Sequence, residues 1–267
     1  MMELKSKSLV QERFGAFATT YATSRSHAKG NSLTRLVELA APQPAWTALD
    51  IATGAGHVAL TFAPHVAHVV ASDLTPQMLG VARGLARDRD IANMSYVDMR
   101  AEALPFADAT FDLVTCRIAP HHFEDVQRFV AESARVLHSG GLFALVDNIS
   151  PDPSMMEGDA GALAAAVDEY NAFEKLRDPS HARCLTLGEW RDLVARAGLT
   201  ERHVELLDKP MVLGPWAEQQ NADETIKRGL RSRLLGGSPA LRAFARPQEN
   251  NGDVDFILTE AVIIAVE

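Results

Sequence analysis

The stretch Leu49-Asp50-Ile51-Ala52-Thr53-Gly54-Ala55-Gly56-His57 joins an apolar strand to a helix through a turn with two alternating glycines. Gly54 and Gly56 have no Cβ atom, so the chain can adopt positive φ and a ligand can approach the main chain. The first N–H groups of the following helix have no partner within it and point towards such a ligand. The stretch therefore predicts a ligand bound at the backbone of this turn.

An acidic residue follows at a distance that supports this prediction. The apolar run of residues 68–72 ends in Asp73. Rossmann-like proteins place an acid about twenty residues after the glycine turn, where it accepts hydrogen bonds from ribose hydroxyls. The pair of features indicates a nucleotide-like ligand.

Two details of the turn favour S-adenosylmethionine (SAM) over a dinucleotide. A dinucleotide turn carries a third glycine three residues after the second, whereas Ala59 stands there. Asp50 ends the first strand, and a carboxylate suits a positively charged ligand better than an anionic pyrophosphate. SAM carries an ammonium group and a sulfonium and has no phosphate, so the residues favour SAM, with S-adenosylhomocysteine (SAH) as the product.

Composition and charge bound the class of protein. The 267 residues are 47% hydrophobic, which is enough for a substantial core. With 26 basic and 35 acidic residues the formal net charge is −9, and no basic run is interleaved with aromatic residues. This argues against binding to nucleic acid or to an anionic membrane surface.

Cysteine usage and hydropathy give further expectations. Cys116 and Cys184 are too far apart in sequence to suggest a disulfide framework or a metal cluster. The sequence shows no zinc site and no apolar run long enough for a signal peptide or a membrane span. We therefore expect a cytoplasmic protein without a bound metal or a membrane span. The oligomeric state is not readable from the sequence.

Strand and helix patterns alternate along the chain. This alternation predicts an α/β protein with a doubly wound sheet that binds ligands at the carboxyl ends of its strands. Gly140 and Gly141 are expected to end a helix that begins near Val126. Thr186-Leu187-Gly188-Glu189 is expected to be a capping box that opens another helix.

Several segments occur in the order and spacing of one family. They are Leu49 to Ala59, Asp73 to Leu79, Ala101-Glu102-Ala103-Leu104-Pro105-Phe106, Phe111-Asp112 and Arg135-Val136-Leu137 followed by Gly140-Gly141. Over about residues 46–148 they resemble class I SAM-dependent methyltransferases of the ubiquinone/menaquinone-biosynthesis type, the methyltransferase type 11 group. Residues 52–59, 116–123 and 177–181 further resemble a bacterial subgroup of these proteins.

The resemblance completes the expected architecture. The fold would be a Rossmann-like, mostly parallel, seven-stranded sheet with an antiparallel last strand and a mainly helical cap over the active site. We expect one domain over residues 1–267. Its core would comprise about residues 45–149, 186–207 and 253–267, and its cap residues 1–44, 150–185 and 208–252.

The resemblance also implies roles for individual residues. Gly54 and Gly56 would line the methionine moiety of SAM, and Asp73 would bind the ribose diol. The adenine would lie between Leu74 and Met78, with its N1 atom bound by the backbone N–H of Ala101. Related enzymes close an N-terminal tyrosine over SAM, and Tyr21 is the candidate here. Asp50, Ala52, Arg100, Glu102 and Arg117 complete the expected cofactor contacts.

Two positions depart from the family pattern. Ala52 stands where the family most often has its first glycine. Arg100 stands where an aspartate commonly accepts a hydrogen bond from the adenine amino group, and an arginine has no acceptor. Glu102 or Asp98 is expected to compensate.

The segment after the fourth predicted strand bears on the acceptor. Many amino-methylating enzymes carry an Asn/Asp-Pro-Pro-aromatic motif there, whereas this chain has Arg117 and Ala119. The absence of that motif disfavours methylation of nucleobase or amide nitrogens. The remaining acceptors are small molecules with a carbon, oxygen, sulfur or simple amine nucleophile.

Side-chain chemistry for the transfer can be sparse, because the sulfonium is already a strong electrophile. His121 and His122 follow the fourth predicted strand, and either could act as a base for the acceptor. Alternatively, the pair only holds this loop by hydrogen bonds. The group Arg177, Asp178 and His181 either recognises a polar acceptor or stabilises a turn.

The sequence thus predicts a SAM-dependent methyltransferase that moves a methyl group by in-line SN2 attack. Two alternatives stay open at this point. One is a SAM-binding regulatory protein without turnover, since binding motifs do not report on catalysis. The other is a nicotinamide-dependent oxidoreductase, which the missing third glycine disfavours.

Overall fold

The computed structural model describes residues 31–152, 156 and 158–267, together with Leu9, Gln11 and Gly15. Tyr21, an expected cofactor contact, lies outside the described residues. In the described part the helices are α1 (Asn31–Ala40), α2 (His57–Phe62), α3 (Pro76–Arg87), α4 (Val126–Val136), α5 (Ala160–Arg177), α6 (Leu187–Arg196), α7 (Leu213–Glu218), α8 (Glu224–Gly236) and α9 (Pro239–Ala245). The strands are β1 (Thr47–Ile51), β2 (His68–Asp73), β3 (Met94–Asp98), β4 (Phe111–Arg117), β5 (Leu137–Asn148), β6 (Thr200–Val212), β7 (Gln248–Asn250) and β8 (Asp253–Val266).

The strands form a sheet in the order β3-β2-β1-β4-β5-β8-β6, and the short β7 pairs with β8. Strand β1 runs parallel to β2 and β4, β2 runs parallel to β3, and β4 runs parallel to β5. The N–H of Gly140 donates to the carbonyl of Glu267, and the N–H of Glu267 donates to that of Gly141, which is an antiparallel pattern. The expected Rossmann-like, mostly parallel sheet with an antiparallel last strand is confirmed, and β7 adds a short eighth strand.

The strand order reverses between β1 and β4, which is where doubly wound sheets bind ligands. Both strands are almost wholly buried, as central parallel strands are when helices cover both faces. The turn at Gly54 and the loop with the two histidines follow these two strands. The fold therefore brings both predicted functional segments to the same edge of the sheet.

The chain forms two compact units. Of the described residues, the first comprises those within 1–146, 193–205 and 262–267, and the second those within 147–192 and 206–261. In the expected cap, residues 31–44 belong to the first unit, and the described residues of 150–185 and 208–252 belong to the second. Helix α5 and helices α7 to α9 lie in those latter stretches.

The end of α4 differs from its prediction. The helix ends at Val136, and Gly140 and Gly141 lie inside β5. The register between β4 and β5 jumps from Phe111 opposite Leu137 to Leu113 opposite Leu142. Gly140 has φ +80°, and a Cβ on Gly141 would meet the carbonyl oxygen of His138 at 2.8 Å. The two glycines are therefore required by a bulge in the strand, which the sequence pattern alone does not distinguish from a helix end.

The capping box at the start of α6 is confirmed. The N–H of Glu189 donates to Thr186 Oγ1 at 3.1 Å, and the N–H of Thr186 donates to Glu189 Oε2 at 2.8 Å. Within the described part of the chain, none of the helices has the length and apolar character to cross a membrane.

Candidate active site

The turn after β1 holds three residues with positive φ, namely Ala52 at +53°, Gly54 at +55° and Gly56 at +85°. A Cβ on Gly56 would lie 2.8 Å from the Cβ of Ala82 in α3, so Gly56 is needed for the packing of α2 on α3. A Cβ on Gly54 would meet no atom within 4 Å. Gly54 is therefore the glycine that faces open space, whereas Gly56 faces α3 and allows the turn to pack against it.

Asp73 ties this turn to the end of β2. Its Oδ2 accepts a hydrogen bond from the N–H of Gly54, and its Oδ1 accepts one from the N–H of Thr75, both at 2.8 Å. Burial raises the pKa of Asp73, and these two hydrogen bonds oppose the rise. Each carboxylate oxygen has two lone pairs, so both can also accept from the hydroxyls of a ribose.

The carboxylate of Asp50, near the end of β1, is buried and bonds to the same turn. It accepts hydrogen bonds from Thr53 Oγ1 at 2.5 Å, from Thr115 Oγ1 at 2.7 Å and from the N–H of Ala59 at 3.2 Å. Burial raises the pKa of Asp50 to about 6 despite these bonds. Its hydrogen bonds thus connect β1, α2 and β4, a structural role that the sequence did not reveal. A contact between Asp50 and SAM stays a prediction.

The expected adenine contacts follow β2 and β3. The carbonyl oxygen of Leu74 accepts a hydrogen bond from Gln11 Nε2 at 2.9 Å, so part of the N-terminal segment reaches this loop. Met78 lies in the first turn of α3 and is buried. Ala101 is also buried, in the loop after β3. These three residues belong to the first unit and follow the carboxyl ends of neighbouring strands.

Two charged residues of α4 hold the segment 101–106. Glu132 Oε2 accepts a hydrogen bond from the N–H of Leu104 at 2.9 Å. Arg135 pairs with Glu132 and donates to the carbonyl oxygens of Leu104 and Phe106 at 3.0 and 2.8 Å. The guanidinium lowers the pKa of Glu132. Sequence reasoning missed Glu132, and its spacing of three residues from Arg135 on the same helix was the signal available.

The loops after β3 and β4 meet at three charged residues. Arg100 donates to Glu124 Oε2 at 2.8 Å, and its Nε lies 3.5 Å from Glu102 Oε2. Glu102 Oε1 accepts a hydrogen bond from the N–H of Glu124 at 3.2 Å. Arg100 is thus paired with two carboxylates, and these contacts join the loop after β3 to the loop that carries His121 and His122.

The two candidate bases lie in a short 3₁₀ turn after β4. This turn spans Pro120–His122 and follows Ile118, a β-branched residue with φ +53°. The rings of His121 and His122 pack at a centroid distance of 4.3 Å with an interplanar angle of 46°. His121 is buried and His122 is partly exposed. A non-glycine residue in this conformation is uncommon and is found at functional loops.

Arg117 ends β4 and is buried. Its Nε donates to Ser32 Oγ at 3.1 Å. Ser32 belongs to α1, so this helix contributes to the ligand edge of the sheet. Sequence reasoning missed Ser32, because a single serine in an amphipathic helix carries no functional signal.

In the second unit, the group around residues 177–181 has structural contacts. Arg177 Nε donates to the carbonyl of Trp216 at 3.0 Å, and its guanidinium lies 4.1 Å from that ring's centroid. Asp178 Oδ1 accepts hydrogen bonds from both the N–H and the hydroxyl of Ser180. His181 Nε2 lies 2.9 Å from Asn171 Oδ1. These contacts support the interpretation as a stabilised turn.

Comparisons with known proteins assign the family. Residues 49–145 match the methyltransferase domain family. The uncharacterized methyltransferase YcgJ of Bacillus subtilis (strain 168) is 31% identical over 253 residues, which cover 94% of this chain and 96% of that protein. The ubiquinone/menaquinone biosynthesis C-methyltransferase UbiE of Brucella anthropi is 31% identical over 159 residues, or 51% of this chain and 60% of that protein.

Solved structures agree with this assignment. A protein of Bacillus halodurans C-125 matches with a TM-score of 0.81 at 34% identity, covering 89% of this chain and 99% of that one. The structure of YcgJ matches with a TM-score of 0.81 at 30% identity, covering 88% and 97%. The chain therefore belongs to the methyltransferase domain family, and the protein is a methyltransferase. The alternative of a nicotinamide-dependent oxidoreductase is wrong.

Proposed function

We propose that this methyltransferase uses SAM as its methyl donor and transfers the methyl group by in-line SN2 attack to a small molecule. The observation that carries the proposal is the open side of Gly54, where positive φ exposes the main chain and the N–H of Gly54 donates to Asp73. This arrangement gives a ligand both a close approach to the backbone and a carboxylate for hydroxyl groups.

The cofactor contacts follow from this placement. Asp73 accepts from the ribose hydroxyls, Leu74 and Met78 flank the adenine, and the N–H of Ala101 meets the adenine N1 atom. Glu132 and Arg135 hold the segment that contains Ala101 at its far end, at Leu104 and Phe106. We further assign Ala52, Gly56, Arg100 and Glu102 to the walls of this site and Tyr21 to its closure.

Charge supports the same assignment for the methionine part of SAM. The Asp50 carboxylate lies just behind the turn and favours the cationic groups of the ligand through space. The guanidinium of Arg117 at the end of β4 complements a carboxylate. The two residues therefore suit a ligand that carries both signs of charge, as the methionine part of SAM does.

When bound, SAM supplies a methyl group on a sulfonium that needs no further activation. The chain's contribution is mainly to hold the nucleophile in line, and orientation of this kind can lower a barrier by about 7–11 kcal/mol. His121 or His122 accepts the proton of a phenol, an enolisable carbon or a thiol as the bond forms. The acceptor atom is carbon, oxygen, sulfur or an amine nitrogen, and the net charge of −9 supports a small molecule over a nucleic acid. We place this activity in the cytoplasm.

Calorimetric titration of the purified protein with SAH, SAM and NADH tests the donor. We expect SAH and SAM to bind and NADH not to bind. Gly54→Ala should weaken SAH binding by about tenfold or more, because a side chain at φ +55° is strained and fills the open side. Gly80→Ala is the matched control, since Gly80 lies in α3 with open space and should leave binding unchanged.

Turnover needs a separate measurement. The protein is incubated with methyl-labelled SAM and a small-molecule extract, and the label is followed by mass spectrometry. We expect one labelled metabolite that Gly54→Ala abolishes. SAH binding without any transferred label would favour the regulatory alternative, and absence of SAH binding would reject the proposal.

A further inference from the structure

Arg100, Glu102 and Glu124 form a cluster that joins the loop after β3 to the loop after β4, and we name it the bridging cluster. Arg100 bonds to Glu124 at 2.8 Å and lies 3.5 Å from Glu102. Glu102 in turn accepts from the N–H of Glu124 at 3.2 Å. The first loop is the one assigned above to adenine, and the second carries the two histidines.

The contact of the bridging cluster that orders the backbone is the one from the N–H of Glu124 to Glu102. An exposed ion pair such as Arg100 with Glu124 contributes little by itself. The side chain of Glu102, however, is 14% exposed, and it binds a backbone N–H directly before Asp125, the N-cap of α4. Glu102 therefore fixes the backbone at the point where the histidine loop ends, and Arg100 fixes the orientation of both carboxylates.

The histidine loop, residues 118–124, is held at both ends. At its start the N–H of Ile118 donates to the carbonyl of Val146 at 2.8 Å. Near its end the ring of Phe123 packs edge-on against the buried ring of Phe129 at 4.9 Å. The last contact is the hydrogen bond from the N–H of Glu124 to Glu102. A displacement of the loop after β3, which contains Glu102, is therefore transmitted to the end of the histidine loop.

We propose that Arg100 and Glu102 are positioning residues that couple occupation of the cofactor site to the placement of His121 and His122. The proposal rests on the proposed function, because it takes the loop at Ala101 as a cofactor contact. It also gives Arg100 a role that an acceptor at this position could not fill, since a carboxylate would repel Glu102 and Glu124. By linkage, an acceptor that orders the histidine loop strengthens cofactor binding by the same factor.

The test is amide hydrogen exchange and histidine ring resonances, measured by NMR with and without SAH. In the wild-type protein SAH should slow exchange of the Glu124 and Phe123 amides by about tenfold and shift both histidine rings. Glu102→Ala should abolish this response, and Glu102→Gln should restore part of it because the amide oxygen still accepts from the Glu124 N–H. Arg100→Gln should weaken it, which provides a second variant.

Asp108→Asn is the matched control. Asp108, like Glu102, lies between β3 and β4, and its exposed carboxylate pairs with Arg135 of α4 at 2.7 Å. This ion pair lies outside the bridging cluster. This variant should respond to SAH as the wild type does. An unchanged response in Glu102→Ala, or SAH binding at Gly54 with no change at Glu124 in the wild type, would overturn the coupling alone. Failure of SAH to perturb Gly54 would instead overturn the proposed function.

Discussion

The N–H of Gly54 donates to the carboxylate of Asp73 at 2.8 Å, which joins the glycine turn after β1 to the end of β2. One side chain thus orders the backbone that faces the open space and remains able to accept from a bound ribose. Asp50 holds the same turn through hydrogen bonds from Thr53, Ala59 and Thr115, which join β1 to α2 and β4. The glycine turn is therefore shaped by two carboxylates, the buried one of Asp50 and the half-buried one of Asp73.

Substitution of Asp73 should weaken cofactor binding more than it weakens the fold. In Asp73→Asn the side chain keeps one oxygen for two backbone donors and loses its charge, so we expect SAH to bind about tenfold to hundredfold more weakly. Isothermal titration measures the affinity, and urea unfolding measures the stability. Asp88→Asn is the control, because Asp88 is the C-cap of α3 and its side chain is exposed. Equal losses of affinity in both variants would contradict a direct role for Asp73.

The raised pKa of Asp50 predicts a pH-dependent stability. The folded-state pKa of about 6 exceeds the ordinary value of 3.8, so between these values the folded protein binds the proton more tightly than the unfolded chain. The contribution of Asp50 to the unfolding free energy should therefore fall as pH rises from about 4 to 6, by about 3 kcal/mol in all. Above pH 6 it should be constant.

The measurement for Asp50 is urea unfolding at several pH values in the wild type and in Asp50→Asn. Asparagine fits the site, because Thr115 Oγ1 also lies 3.4 Å from the carbonyl of Leu49 and can turn to donate there. The difference between the two proteins isolates Asp50 from the other acids. If the difference in unfolding free energy between the two proteins stayed constant from pH 4 to 7, or rose with pH, burial would not be what sets the pKa of Asp50.

Ala52 should be replaceable by glycine with a gain in stability. Its φ of +53° is strained for a residue with a Cβ atom, whereas glycine adopts it freely. After the extra flexibility of glycine in the unfolded chain is subtracted, we expect Ala52→Gly to stabilise the protein by about 0.5–1 kcal/mol. Ala59→Gly, at a buried helical position in α2, should instead destabilise it by about 1 kcal/mol. Thermal unfolding of both variants checks the two signs.

Sequence reasoning predicted this fold well because its signals are local. Alternation of apolar runs and helical faces predicted a doubly wound α/β sheet, and the glycine turn with Asp73 predicted which edge of the sheet binds the ligand. The bulge at Gly140 was misread, since a glycine at positive φ can end a helix or distort a strand. Glu132, Ser32 and Glu124 were missed because their partners lie between 22 and 85 positions away in the chain. Such pairings depend on how loops meet, and residue type and spacing do not encode them.

The histidine pair allows the sharpest test of chemistry at this site. Two imidazole rings in contact, with centroids 4.3 Å apart, suit one proton acceptor and one neighbour that orients it. Once labelling has identified the acceptor, His121 and His122 are each replaced by alanine and by glutamine, and kcat and KM are measured across pH. If one histidine is the base, its two variants should lose about 10²–10⁴ in kcat while SAH affinity is unchanged. His65→Gln, a substitution at an exposed histidine in the 3₁₀ turn after α2, controls for the change of residue type. Near-normal turnover in all four variants would mean that the pair only shapes the loop, and that orientation by the surrounding backbone performs the transfer.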